Sequence, residues 1–215
     1  MLSVRGFFTI VFTPLARRMT GVNPNTLTAV SLVAGVLAGV SFAFTGQWRG
    51  AAVAAGVLVT VSGSADALDG IVARLFSRTS RAGSFLDHLA DRVVETAILA
   101  GISCAPGAAP MLGAAVIVIT LLHSYLGAQI EAAFGVRDYG GGGKAEQFVG
   151  LVIFAGVLAL APKASLGAAG VRVSLTNLFL IILGVLTTAS FLRRLARGLA
   201  MARQDESRRR EAPDR

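Results

Sequence analysis

The sequence predicts an all-α membrane protein: a bundle of six transmembrane helices preceded by an amphipathic helix lying in the interface. Three observations predict it. Hydrophobic residues make up 54% of the chain and charged ones 15%, with a mean hydropathy of +0.69, whereas soluble domains are about a quarter charged. Six apolar runs, most of them near the roughly 20 residues that a span requires, take up most of the 215 positions and leave no room for a separate soluble domain. None alternates with period two, and in lipid each backbone polar group needs a partner, so the runs read as helices rather than barrel strands.

Taken in order, residues 1–20 mix Arg5, Arg17 and Arg18 with Phe7, Phe8, Ile10, Val11, Phe12 and Leu15 and contain no acid. They lack a small-residue cleavage site after a clean apolar core, so they read as a helix in the headgroup plane of an anionic leaflet rather than a leader. The first span, 26–45, is entered through Asn23, Pro24, Asn25 and Thr26, residues that suit a cap and turn. Spans two to four follow at 51–73, 85–105 and 110–134. The fifth, 148–161, is short and lies between the glycine run 140–143 and Pro162; the sixth covers 173–192. Residues 1–204 are thus one membrane domain, and the charged stretch 205–215 is expected to be a disordered tail. Cys104 is the one cysteine and reads as a small apolar filler, which excludes disulfide and cysteine–metal frameworks.

The formal net charge is +8, and its placement accounts for it. If six spans alternate, the loops on one side carry only Arg49, Lys163 and Arg172. The other side carries Arg5, Arg17, Arg18, Arg74, Arg78, Arg81, Arg137, Lys144, Arg193, Arg194, Arg197, Arg203 and the arginines at 208–210. Basic loops stay in the cytoplasm, so both termini are expected there, and no nucleic acid is needed to explain the charge.

Asp66, Asp69, Asp87, Asp91 and Glu95 gather at the cytoplasmic ends of the second and third spans. A carboxylate inside a membrane helix costs about 2.5–3.5 kcal/mol on insertion scales, so such a cluster implies function. Asp66 and Asp69 are three apart and Asp87 and Asp91 four apart, which puts each pair on one helix face; a helical hairpin would bring the pairs together. Four carboxylates in one small site cannot all stay charged without cations, and an all-oxygen ligand set favours Mg²⁺ or Mn²⁺. His88 and His123 read as bystanders. The small residues Gly70, Ala73 and Gly83 would admit either a planar base or a neighbouring helix, and Arg74 offers a fork suited to phosphate. Together these types describe a nucleotide-diphosphate site.

The run Asp66-Ala-Leu-Asp69-Gly70-Ile-Val-Ala73-Arg74, followed by Gly83, Asp87 and Asp91 at their spacings, resembles the motif of the CDP-alcohol phosphotransferase (CDP-alcohol phosphatidyltransferase) family at every position. The resemblance implies two divalent cations held by Asp66, Asp69, Asp87 and Asp91, with Asp91 also the base on the acceptor hydroxyl. It implies that Gly70, Ala73 and Gly83 line the cytidine pocket, that Arg74 contacts phosphate, and that the protein is a homodimer. The expected reaction is transfer from a CDP-linked lipid, CDP-diacylglycerol or CDP-archaeol, to a small polar alcohol, with release of CMP in phospholipid biosynthesis.

A phosphorylated acceptor, inositol phosphate or glycerol phosphate, would be bound by Lys144, Arg193 and Arg194. The segments Ser124-Tyr125-Leu126-Gly127-Ala128-Gln129 and Lys144-Ala145-Glu146-Gln147 resemble the inositol-phosphate branch in frame, but Gly127 and Gln147 stand where that branch has arginines. The loop Arg137-Asp138-Tyr139 with glycines 140–143 reads either as a cover over the acceptor or as a connector. Two other readings are weighed against this one: a family member with a soluble CDP-alcohol donor or with serine as acceptor, and an ion or solute carrier built on an acidic cluster.

Overall fold

The computed structural model describes residues 4–48, 50–136, 144–161, 164–168 and 171–211, with side chains for 10–48, 50–136, 147–161, 164–167 and 172–207. Seven helices are described: α1 (Val4–Arg17), α2 (Pro24–Ala43), α3 (Ala51–Leu75), α4 (Arg81–Ser103), α5 (Pro110–Phe134), α6 (Lys144–Leu160) and α7 (Leu175–Glu211). Local chemistry sets their ends. Asn23 caps α2 by accepting from the Asn25 N–H at 3.0 Å, with Pro24 at its first turn. Ser80 caps α4 by accepting from the Gly83 N–H at 3.0 Å. Gly135, at φ +67°, closes α5 in the left-handed region that a side chain resists.

Among the described residues, four helices, α2, α3, α5 and α7, are long and apolar enough to cross a membrane. The six spans expected from the sequence therefore reduce to four on this measure, for two physical reasons. α4 is long, but Asp87, Asp91, Arg92 and Glu95 break its apolar character. α6 has 17 residues, about 26 Å of helix against a hydrocarbon core of about 30 Å.

Two features differ from the runs read in the sequence. A β-hairpin, β1 (Ser165–Ala168) with β2 (Val171–Ser174), precedes α7, pairing Ser165 with Ser174 and Leu166 with Val173. α7 then runs on to Glu211, so positions 205–211 of the expected disordered tail are helical; their Glu and Arg residues are good helix formers.

Small residues fix how closely the helices pack. A side-chain carbon on Gly39 of α2 would fall on the Ala97 carbonyl of α4, and one on Gly101 would fall on the Gly39 carbonyl, so α2 and α4 cross with their backbones in contact. Ser62 of α3 donates to the Ser31 carbonyl of α2 at 2.9 Å. The main core joins Phe42, Val59, Ile98, Ile102 and Leu180, and Phe154 of α6 stacks on Phe179 of α7 with centroids 4.1 Å apart. Outward residues such as Val33, Val57, Ile153 and Val185 stay exposed at 57–63%, the surface that lipid would cover.

The two ends of the bundle are tied differently. At one end, Ser174 Oγ donates to the Gly107 carbonyl at 2.6 Å and the Ala109 N–H to Asn177 Oδ1 at 2.7 Å, so loop 104–109 and the start of α7 meet. At the other end, Arg78 donates to the carbonyls of Thr20 and Val22 at 2.9 and 3.0 Å. Those two bonds fasten the α1–α2 turn to the end of α3. α1 packs there too, with buried Ala16 against Leu27, Leu68, Ile71 and Val72, while Ile10, Val11 and Leu15 face outward.

Candidate active site

The tied α3–α4 turn passes through Ser77, whose φ of +53° is rare outside glycine, and it returns α4 alongside α3. Asp66 and Asp69 on α3 thereby face Asp87 on α4, and the three carboxylates each place an oxygen within 4.8 Å of the other two. Asp69 is buried; Asp66 and Asp87 are half-buried. Three hard oxygen donors from two helices fit a divalent cation of the Mg²⁺ or Mn²⁺ kind, and no histidine or cysteine shares the cluster.

Asp91, one turn further along α4, stands outside this triangle. It lines a cavity of about 130 Å³ together with Asp66, Arg92, Glu95, Thr120 and Gln147, above apolar walls that include Val59, Ile98 and Phe179. The geometry thus divides the four acids: three converge, and the fourth looks into the adjoining space.

Around them, Arg74 folds back across Gly70, where a side-chain carbon would lie 3.2 Å from the Arg74 Nη1. Ala73 follows Asp69 by one turn on the same face. The space at Gly83 is bounded by Ser80 Oγ and Asn25 Oδ1, 3.0 and 3.4 Å from where a side chain would begin. Beside it, Gly21, Asn23, Pro24, Asn25, Arg78 and Ser80 form a polar concavity. His88 donates from Nδ1 to the Ser84 carbonyl at 2.6 Å, and the same nitrogen lies 3.9 Å from Asp87 Oδ2.

Of the basic residues expected at an acceptor phosphate, the two described arginines hold partners within the bundle. Arg194 donates to the His123 carbonyl at 2.9 Å and its Nη1 occupies the space that Gly127 leaves; Arg193 is exposed and donates to Ser190 Oγ at 3.2 Å. Neither is among the described residues lining the cavity. The Lys144 side chain and the loop 137–143 lie outside the described residues.

Sequence reasoning missed two groups. Thr28 of α2 donates to Asp69 Oδ2 at 2.6 Å. Arg92 bonds both Glu95 and Ser124 of α5 at the cavity wall. Arg92, a basic residue directly after Asp91 within the third apolar run, was the signal for the second; the first contact spans 41 positions and leaves no local trace.

A family model describing CDP-alcohol phosphatidyltransferases matches residues 21–195. A phosphatidylinositol phosphate synthase of Streptomyces avermitilis is 40% identical over 99 residues, 45% of this chain and 39% of that protein. An archaetidylinositol phosphate synthase of Pyrococcus horikoshii is 36% identical over 83 residues, 39% of this chain and 42% of that protein. The matched segments span about two fifths of each relative. Among solved structures, the Mycobacterium tuberculosis phosphatidylinositol phosphate synthase with CDP-DAG bound superposes with a TM-score of 0.63 at 23% identity, over 86% of this chain and 92% of that one. The same synthase with manganese and citrate gives 0.64 at 22% identity, over 87% and 88%. At these identities the likeness is one of fold.

Proposed function

Because this chain belongs to the CDP-alcohol phosphatidyltransferase family, we propose that it transfers a phosphatidyl-type group from a CDP-linked lipid, CDP-diacylglycerol or CDP-archaeol, to a polar alcohol and releases CMP. The observation that carries this reading is the convergence of Asp66, Asp69 and Asp87 from two helices onto one point, inside the segment where the sequence matches the family motif. Two divalent cations, Mg²⁺ or Mn²⁺, would there supply neutralisation of the donor diphosphate and of the departing CMP.

The chain's own residues do the rest. Arg74, laid over Gly70, presents its guanidinium to the diphosphate, and Gly70, Ala73 and Gly83 leave room for the nucleotide. Asp91 faces the cavity and takes the proton of the acceptor hydroxyl as its oxygen bonds to phosphorus and the bond to the CMP oxygen breaks. The apolar cavity walls keep bulk water from competing. Inositol phosphate is the favoured acceptor, supported by the names of both relatives; glycerol phosphate is the next. Lys144, Arg193 and Arg194 are the proposed phosphate contacts, which requires the two arginines to leave the partners described above.

We place both termini and the site in the cytoplasm, with α4 and α6 completing six spans among the four long helices and α1 in the interface. In this arrangement α4 keeps its charges within the bundle, where membrane proteins put intramembrane acids.

The test is CMP release by the purified chain with Mg²⁺ and CDP-diacylglycerol, against inositol phosphate, glycerol phosphate, serine and inositol in turn. Release with inositol phosphate alone is the expected result. Release with serine alone would overturn the phosphorylated acceptor, and ion or solute flux in proteoliposomes without CDP-dependent chemistry would favour a carrier instead.

A further inference from the structure

We propose that Thr28 is a positioning residue for the metal ligand Asp69, an inference resting on the reading that Asp66, Asp69 and Asp87 hold a divalent cation. Thr28 Oγ1 donates to Asp69 Oδ2 at 2.6 Å across the α2–α3 interface. The same oxygen lies 3.3 Å from the Pro24 carbonyl one turn earlier on α2. A hydroxyl has one proton, and the shorter contact, to a carboxylate, takes it.

The need for this bond follows from burial. Asp69 is 6% exposed, whereas Asp66 and Asp87 are half-buried. The terminal torsion of an aspartate is broad and roughly two-fold. A cation site built on a freely turning carboxylate is imprecise, and a donor fixed on a facing helix removes that freedom. Occupying one lone pair of Oδ2 from the facing helix still leaves acceptor positions of Asp69 for the cation. Outer contacts of this kind, one step removed from the cation, orient the ligands and tune their affinity for the metal.

α2 is the element that can do this reliably. Its cap at Asn23, its bond from Ser62 and its backbone contact with α4 at Gly39 fix it against both α3 and α4. Thr28 is thus held relative to all three carboxylates rather than to Asp69 alone. In this assignment α2 takes part in building the metal site although it contributes no ligand.

The test uses the full chain in detergent with Mn²⁺ as probe, titrated by electron paramagnetic resonance without substrate, in the wild type and in Thr28→Val, Thr28→Ala and Thr28→Ser. Both variants lacking the hydroxyl should bind Mn²⁺ about 10–100-fold more weakly, the range typical for loss of an outer contact, and Thr28→Ser should restore binding close to that of the wild type. CMP release should show the same pattern as a raised metal requirement, with kcat recovered at saturating Mn²⁺. Thr28→Ala keeps the test valid if the branched valine prevents folding. Wild-type affinity in Thr28→Val or Thr28→Ala overturns the positioning role alone, whereas a wild type that binds no Mn²⁺ overturns the metal reading together with it.

Discussion

Replacing Asp91 by asparagine separates two roles that one carboxylate could fill. Asp66, Asp69 and Asp87 lie within 4.8 Å of one another, and Asp91 is outside that group, facing the cavity with Asp66. If Asp91 accepts the proton of the acceptor and is not needed to hold the cation, Asp91→Asn removes only the base. General-base catalysis contributes about 10²–10⁴-fold, or about 3–5 kcal/mol of barrier, so kcat for CMP release should fall by that factor while Mn²⁺ affinity stays within a few-fold of wild type. Asp87→Asn, which takes one ligand from the triangle, should lose both. The assay is CMP release at saturating donor and acceptor, paired with an Mn²⁺ titration on the same preparations. Loss of Mn²⁺ binding in Asp91→Asn equal to that in Asp87→Asn would make Asp91 a ligand and refute the division; full turnover would refute its role as base.

Three further outcomes follow from the packing and the cavity. Gly101→Val drives a branched side chain onto the Gly39 backbone, so it should destabilise the fold by about 1–3 kcal/mol, read as a lowered unfolding temperature in detergent; an unchanged midpoint would contradict the close crossing. Arg92 lines the cavity that Asp91 faces, so Arg92→Met, which removes the guanidinium bonding Glu95 and Ser124 there, should raise KM for a phosphorylated acceptor about tenfold without changing CDP-lipid binding, measured separately by calorimetry. Chelation of divalent cations should silence CMP release, with Mg²⁺ or Mn²⁺ restoring it; activity that survives chelation would remove the carboxylate triangle from the mechanism.

The parts of this fold that sequence made legible are those whose chemistry is local. Long apolar runs announce α2, α3, α5 and α7, and the fourth run matches α5 (Pro110–Phe134) at both ends. Elsewhere polar helix formers blurred the bounds. α6 begins at Lys144 and α4 at Arg81, both outside their apolar runs, because capping and propensity extend helices past their greasy stretch. The hairpin at 165–174 was hidden by its shortness and its small residues.

In the site, the i,i+3 and i,i+4 spacings located the acids, and the motif tied them to a family. What those spacings could not give was the division between three converging carboxylates and one facing the cavity, since that depends on how far α4 is displaced along α3. Gly127 is the plainest case. As a sequence position it reads as an arginine missing from the inositol-phosphate pattern, yet in space an arginine, Arg194, fills the place from another helix.

The backbone contact between α2 and α4 makes their crossing a pivot. Gly39 lies eleven residues from Thr28, and Gly101 fourteen from Asp87, lever arms of about 16 and 21 Å at 1.5 Å per residue. Rocking the two helices by roughly 3° about that fulcrum shifts the far ends by about 1 Å relative to one another, and a displacement of that size at reacting groups can cost about 10²-fold in rate. Mild substitutions at the pivot, small enough to leave the bundle standing, will therefore register in kcat before they register in stability, from positions at the opposite end of the helices to the chemistry.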